Sequence, residues 1–227
     1  LEALAAALDA RGFDVLGLFA PSLKGAAAGW LRQQVAALGP AAIVNATAFS
    51  ARGDDGASPL DAAGVPVFQV ALATSGRAAW AAAPRGLSPA DLAMHVVLPE
   101  VDGRLMAGVV SFKEAGARDA ALEFARVAHC PDAGRVAAVA DRVAAWVRLA
   151  RPAAEKRVAL VLSTYPGRAQ QRAHAVGLDA LASVEAMLDD LAADGWAVTP
   201  GGGLAGGMAA ALARDRLDWP LADYRAA

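Results

Sequence analysis

The stretch Leu23-Lys24-Gly25-Ala26-Ala27-Ala28-Gly29-Trp30-Leu31-Arg32-Gln33-Gln34-Val35-Ala36-Ala37-Leu38, followed by Ala41-Ala42-Ile43-Val44-Asn45-Ala46, decides the fold. Its first part, Leu23 to Leu38, reads as a helix, and Ala41 to Ala46 reads as a short buried strand. Upstream, Leu1 to Arg11 carries Leu1, Leu4 and Leu8 at helical spacing, and Phe13 to Phe19 reads as a strand. Downstream, Val65 to Leu72 is a further strand. Unbroken apolar strands between helices imply a mostly parallel sheet covered on both faces, an α/β chain of Rossmann or flavodoxin-like units. Ser58-Pro59-Leu60-Asp61 and Ser88-Pro89-Ala90-Asp91 each place a hydroxyl at a helix cap, a proline at the first helical position and a carboxylate at the positive end. Each predicts a helix start.

Further along, Arg104 to Phe112 is a strand candidate, Lys113 to Asp119 a polar stretch, and Asp132 to Ala150 a helix with the stripe Val136, Val139, Val143, Trp146 and Ala150. The charged, proline-containing run Arg151 to Arg157 marks a boundary. Residues 1–150 then form a first α/β subdomain and 151–227 the start of a second. The second reads as a strand from Val158 to Leu162, a helix with Leu178, Leu181, Val184, Leu188 and Leu191 on one face, a stop at Gly195, and a strand from Trp196 to Thr199. The helical patterns that stand open at both ends predict an internal segment of a longer chain.

Composition narrows the function classes. The 227 residues carry 21 basic and 23 acidic side chains, a formal charge of −2, which offers no cationic field for nucleic acid or anionic lipid. One cysteine excludes a disulfide scaffold and is compatible with a reducing cytoplasm. The apolar runs are strand-sized, so no membrane span is expected. His95, His129, His174 and Cys130 lack structural zinc spacing, and His129-Cys130-Pro131 reads as a helix-entry turn. Gly201 to Gly206 fits the letters of a dinucleotide loop, but Pro200 precedes it and no second strand follows for the ribose-binding acid. No phosphate-loop lysine is present, so any ATP hydrolysis belongs elsewhere in an assembly. Thr74-Ser75-Gly76 is no nucleophile elbow and reads as the cap of a helix from Arg77 to Ala83.

Chemistry concentrates in Leu98-Pro99-Glu100-Val101-Asp102-Gly103-Arg104, with His95 just upstream. Asp102-Gly103 alone is a turn signal. Glu100 stands between a proline and a valine, where partial burial would make it a proton acceptor near neutral pH. Ser50 to Ser58 follows the strand Ala41 to Ala46, and Ser163 to Arg168 follows Val158 to Leu162. Both occupy the carboxyl edge where ligands collect in open α/β sheets, and both also read as solvated loops.

Together these loops resemble the family of aerobic cobaltochelatase large subunits, the CobN type, whose relatives include the magnesium chelatase large subunit. The matching stretches run in family order: Asn45 to Ser50, Pro66 to Val70, Arg85 to Met94, Leu98 to Gly103, Ser111 to Lys113, Val161 to Arg168, and Val176 to Asp179 followed by Ala182-Ser183. The resemblance implies a segment of the substrate-binding and catalytic subunit of an ATP-dependent enzyme that inserts cobalt into hydrogenobyrinic acid a,c-diamide in cobalamin biosynthesis. Cobalt is then the substrate ion, the tetrapyrrole the organic substrate, and ATP and magnesium are used by AAA+ ATPase partner subunits in the cytoplasm. It also implies Glu100 as base or metal-handling ligand, with His95 and Asp102 secondary and His95 a second metal ligand. Arg52, Arg104, Lys113 and Arg168 would pair with substrate carboxylates. The alternatives are the magnesium branch acting on protoporphyrin, a non-catalytic scaffold that docks the AAA+ subunits, and a flavodoxin-like binder of NAD or FMN.

Overall fold

Val67 to Ala73 alternates strictly between two apolar environments, because successive side chains of a strand point to opposite faces. It is an interior strand of a four-stranded sheet ordered β1 (Ile43–Asn45), β2 (Val67–Ala73), β3 (Leu105–Asp119), β4 (Phe124–Pro131). The computed structural model describes residues 1–162, 177–198 and 220–226. β1, β2 and β3 run parallel, and β4 returns antiparallel to β3.

Around the sheet lie α1 (Glu2–Asp9), α2 (Ala26–Leu38), α3 (Arg77–Ala82), α4 (Pro89–Leu92), α5 (Leu98–Val101) and α6 (Ala133–Arg148). One face packs Phe68, Val70, Ala107 and Val110 against Leu4 and Leu8 of α1 and Val136, Val139 and Val143 of α6. On the other, Val67 meets Leu31 and Val35 of α2, while Ala71, Val109 and Phe112 meet Leu87. Both faces are therefore covered, as an apolar parallel sheet requires. Phe68 is fully buried, and a side chain of that size contributes roughly 1.5–3 kcal/mol by leaving water.

Both serine caps form. Ser58 Oγ accepts the Leu60 N–H at 3.3 Å and opens a 3-10 turn, Pro59–Ala63. Ser88 Oγ accepts the Asp91 N–H at 3.1 Å and opens α4.

Several expected elements differ. Phe13 to Phe19 is irregular, with Phe19 88% exposed, because no strand among the described residues offers it a ladder. The polar stretch 113–119 continues β3 and pairs with β4 in a hairpin. His129-Cys130-Pro131 closes β4, and it is Asp132 that caps α6 by accepting the Arg135 N–H at 3.0 Å. Helix α3 is capped from a distance, by Glu114 Oε1 accepting the Arg77 N–H at 2.6 Å. Trp146 stays 42% exposed, with its ring 6.1 Å from Phe68 in an edge arrangement, and Ala150 is exposed.

The chain divides into two units, Leu1–Leu149 and Ala150–Ala227. In the second, α7 (Ala180–Ala193) is capped by Asp179, buries Val184, and is followed by the left-handed Gly195. A short helix α8 (Leu221–Ala226) follows. Val158 to Leu162 and Trp196 to Val198 are irregular rather than strands. Thr199, the loop from Ser163 to Arg168, His174 and the glycines 201–206 lie outside the described residues. Among the described residues no helix is long and apolar enough to cross a membrane.

Candidate functional site

A single helical segment, Pro89 to Val101, carries the centre of the predicted site. It runs through α4, a π turn over Ala93–Val97, and α5. Pro99 has no N–H to offer the carbonyl four residues back, and the wider turn falls immediately ahead of it. The segment ends in a Schellman motif: the Gly103 N–H donates to Glu100 O at 2.8 Å and the Arg104 N–H to Pro99 O at 3.1 Å. Gly103 takes φ +79°, the left-handed geometry this cap demands. The Asp102-Gly103 turn is thus a helix terminus that leads directly into β3.

Asp102 is buried and fully engaged. Its Oδ1 accepts the Ser50 hydroxyl at 2.7 Å and its Oδ2 accepts the Ala51 N–H at 2.6 Å. Arg52 Nε lies 3.7 Å from Oδ1, with the rest of that side chain half exposed. One carboxylate therefore ties the loop after β1 to the turn before β3. Two residues earlier, Glu100 is exposed, so the partial burial expected for it does not occur within this chain. Exposed Val97, Leu98 and Val101 surround it along the chain. Arg104 is 6% exposed and its Nη1 pairs with Asp61, while its buried Nε and Nη2 have no hydrogen-bond partner among the described residues.

The other end of the helical segment meets the carboxyl end of β2. Asp91, without solvent exposure, accepts the Thr74 N–H at 3.0 Å and the Thr74 hydroxyl at 2.9 Å. One turn on, His95 is 7% exposed, and its Nδ1 has no hydrogen-bond partner among the described residues. Burial lowers its pKa from the ordinary 6.5, against the opposing pull of Asp91 and with a smaller push from His129. His129 itself sits 3.3 Å from the Ser111 hydroxyl. Lys113 is exposed nearby, its N–H donating to Ser75 O at 3.1 Å.

The predicted residues therefore separate into two groups. Glu100, Asp102, Arg52 and Arg104 gather at the entry to β3, whereas His95 and Lys113 belong to the far end of β2. His95 is buried and Glu100 exposed. Among the described residues, no group of three or more His, Cys, Asp or Glu side chains stands ready to hold a metal ion. The position expected for Ser50 to Ser58 also changes. Asn45, the last residue of β1, is level with Gln69 and Met106, and the loop turns back so that Ala51 packs with Val67. A cavity of about 500 Å³ lies between Ser75, Ala79 and the 84–89 segment, away from Glu100.

Sequence reasoning passed over the buried amides. Asn45 Nδ2 donates to Gln69 Oε1 at 2.8 Å, and Gln69 Nε2 to Thr47 O at 2.9 Å. Polar residues inside otherwise apolar strands were the available signal, since buried amides require partners.

Residues 1–219 match the family model described as CobN/Magnesium Chelatase. The chain is 43% identical over 204 residues to the aerobic cobaltochelatase subunit CobN of a Sinorhizobium species, and 40% identical over 199 residues to that of Pseudomonas aeruginosa. These alignments cover 87% and 84% of this chain but 16% of each relative. A solved structure, the catalytic subunit of cobaltochelatase from Mycobacterium tuberculosis, superposes with a TM-score of 0.73 at 33% identity, covering 93% of this chain and 18% of that one.

Proposed function

The chain belongs to the CobN/magnesium chelatase family, and from that premise we propose that it forms part of the catalytic subunit of a cobalt chelatase, presenting Glu100 to a tetrapyrrole substrate. Insertion exchanges two ring N–H protons for one divalent ion, so the site must accept protons and replace the ion's water. The observation that carries the reading is an exposed carboxylate on a fixed frame. Glu100 stands on a helix end closed by two Schellman bonds and, through Asp102, tied to the loop after β1. Its own carboxylate, without a side-chain partner among the described residues, is offered to the ring nitrogens or the incoming ion. Asp102, with both oxygens engaged, positions rather than reacts, and Arg52, half exposed beside it, is placed to meet a substrate carboxylate.

His95, on the same segment, is the secondary catalytic and metal-handling candidate, and Lys113 and Arg168 are further carboxylate partners. The substrate is hydrogenobyrinic acid a,c-diamide, and ATP with magnesium is consumed by AAA+ partner subunits in the cytoplasm. Two relatives at 40–43% identity that bear the cobaltochelatase name favour cobalt over magnesium.

The test is Glu100→Gln in the full-length subunit, which keeps size and removes charge. Cobalt insertion is expected to fall by about a hundredfold or more, the usual contribution of a positioned acid or base, while partner binding persists. Near-normal insertion would instead identify the segment as a scaffold.

A further inference from the structure

Phe49 has a backbone conformation that aromatic residues avoid. Its φ is +71°, in the left-handed region where a bulky side chain is an outlier and the backbone is strained. Glycine or asparagine would hold the same turn with less strain. The conformation is fixed from both sides. The Phe49 N–H donates to Met94 O at 2.8 Å, within the π turn, and the next two residues are the pair clamped by Asp102 through the Ser50 hydroxyl and the Ala51 N–H. Before it, Asn45 Oδ1 accepts the Thr47 N–H at 3.2 Å and the Thr47 hydroxyl at 2.8 Å.

This anchoring does not bury the ring. Phe49 is 57% exposed and belongs to none of the three apolar clusters among the described residues. It is therefore not strained for the sake of packing. The same anchors tie it to the helical segment that exposes Val97, Val101 and Glu100, and Arg52 follows three residues later. A rigidly held aromatic face together with exposed valines, a carboxylate and a guanidinium matches a flat, conjugated ligand that bears peripheral carboxylates.

We propose that Phe49 is a substrate-binding residue whose ring packs against the face of the tetrapyrrole. This rests on the chelatase reading above and deepens it. Stacking and apolar burial hold the macrocycle, while Glu100 addresses its centre or its protons.

The experiment titrates the full-length subunit with hydrogenobyrinic acid a,c-diamide, without cobalt or ATP, following tryptophan quenching. Phe49→Gly and Phe49→Asn both tolerate the positive φ, so their thermal midpoints should equal or exceed the parent's, while affinity for the macrocycle falls about tenfold. Phe49→Trp restores an aromatic face and should bind within about threefold of the parent. Parent-like affinity in both the Gly and Asn variants overturns the role of Phe49 and leaves Glu100 untouched. Loss of affinity in Phe49→Trp equal to that in Phe49→Gly overturns it as well, since the ring then contributes nothing. Absence of saturable binding by the parent subunit sinks the chelatase reading itself, and the proposal with it.

Discussion

His95 shows how one buried side chain ties stability to pH. Burial lowers the folded-state pKa below the ordinary 6.5, so as pH falls the unfolded chain takes up this proton first. The contribution is complete above about pH 6.5 and is lost as the pH drops through the lower folded value. Asp132 and Asp141, held low by their hydrogen bonds to Arg77 and Arg11, act in the same direction, but only below their ordinary 3.8. The windows are therefore separable. Replacing His95 with glutamine should flatten the decline in unfolding free energy as the pH is lowered from about 6.5, measured by urea titration at each pH. An unchanged slope would mean that the imidazole is hydrated in solution. At this scale the sequence was informative about identity and silent about partners. Asp102 was legible as a turn residue, but its acceptor role depends on Ser50 and Ala51, about fifty positions away, which no local pattern encodes. Glu100 was legible as a candidate, and its exposure was not, because a proline neighbour does not determine burial.

Elements were legible where chemistry is local. Ser58 and Ser88 cap helices as their side chains dictate, and Gly195 follows α7 as its stop, whereas Leu178, expected on the face of α7, lies exposed ahead of the cap Asp179. Gly103 belongs to the same class and allows a clean measurement. A Cβ built there meets nothing within 4 Å, so Gly103→Ala would add backbone strain without a clash. The expected loss is about 1–2 kcal/mol of unfolding free energy, with Gly103→Asn losing less because asparagine tolerates this region. If alanine proves neutral in chemical denaturation, the Schellman turn does not hold the end of α5. Strands were legible only where a partner exists. Phe13 to Phe19 and Val158 to Leu162 are apolar enough for strands, yet nothing pairs with them among the described residues, and hydrophobicity alone specifies no ladder. The reverse failure is β4. Its residues are largely exposed on both faces, which leaves no period-two signature, and antiparallel bonding to β3 supplies what the pattern lacks.

For the whole molecule, the question is whether the described site can work alone. Inserting a divalent ion into a macrocycle needs water excluded from both the ion and the ring nitrogens, because hydration competes with every new ligand. In this chain Glu100 is open to solvent, the cavity of about 500 Å³ lies against α3 and the 84–89 segment, and His95 is buried. On the chelatase reading proposed above, this chain supplies one wall of a reaction chamber. Its coverage of 16% of the cobaltochelatase relatives leaves ample polypeptide there for the others. Residues 1–227, purified and supplied with hydrogenobyrinic acid a,c-diamide, cobalt, ATP and the ATPase subunits, should therefore show no turnover in the absorbance of the metallated product. The full-length subunit in the same mixture should show it, and should lose it on Glu100→Gln. Metallation catalysed by the segment alone would mean that an open carboxylate suffices, and the requirement for an enclosing wall would have to be abandoned.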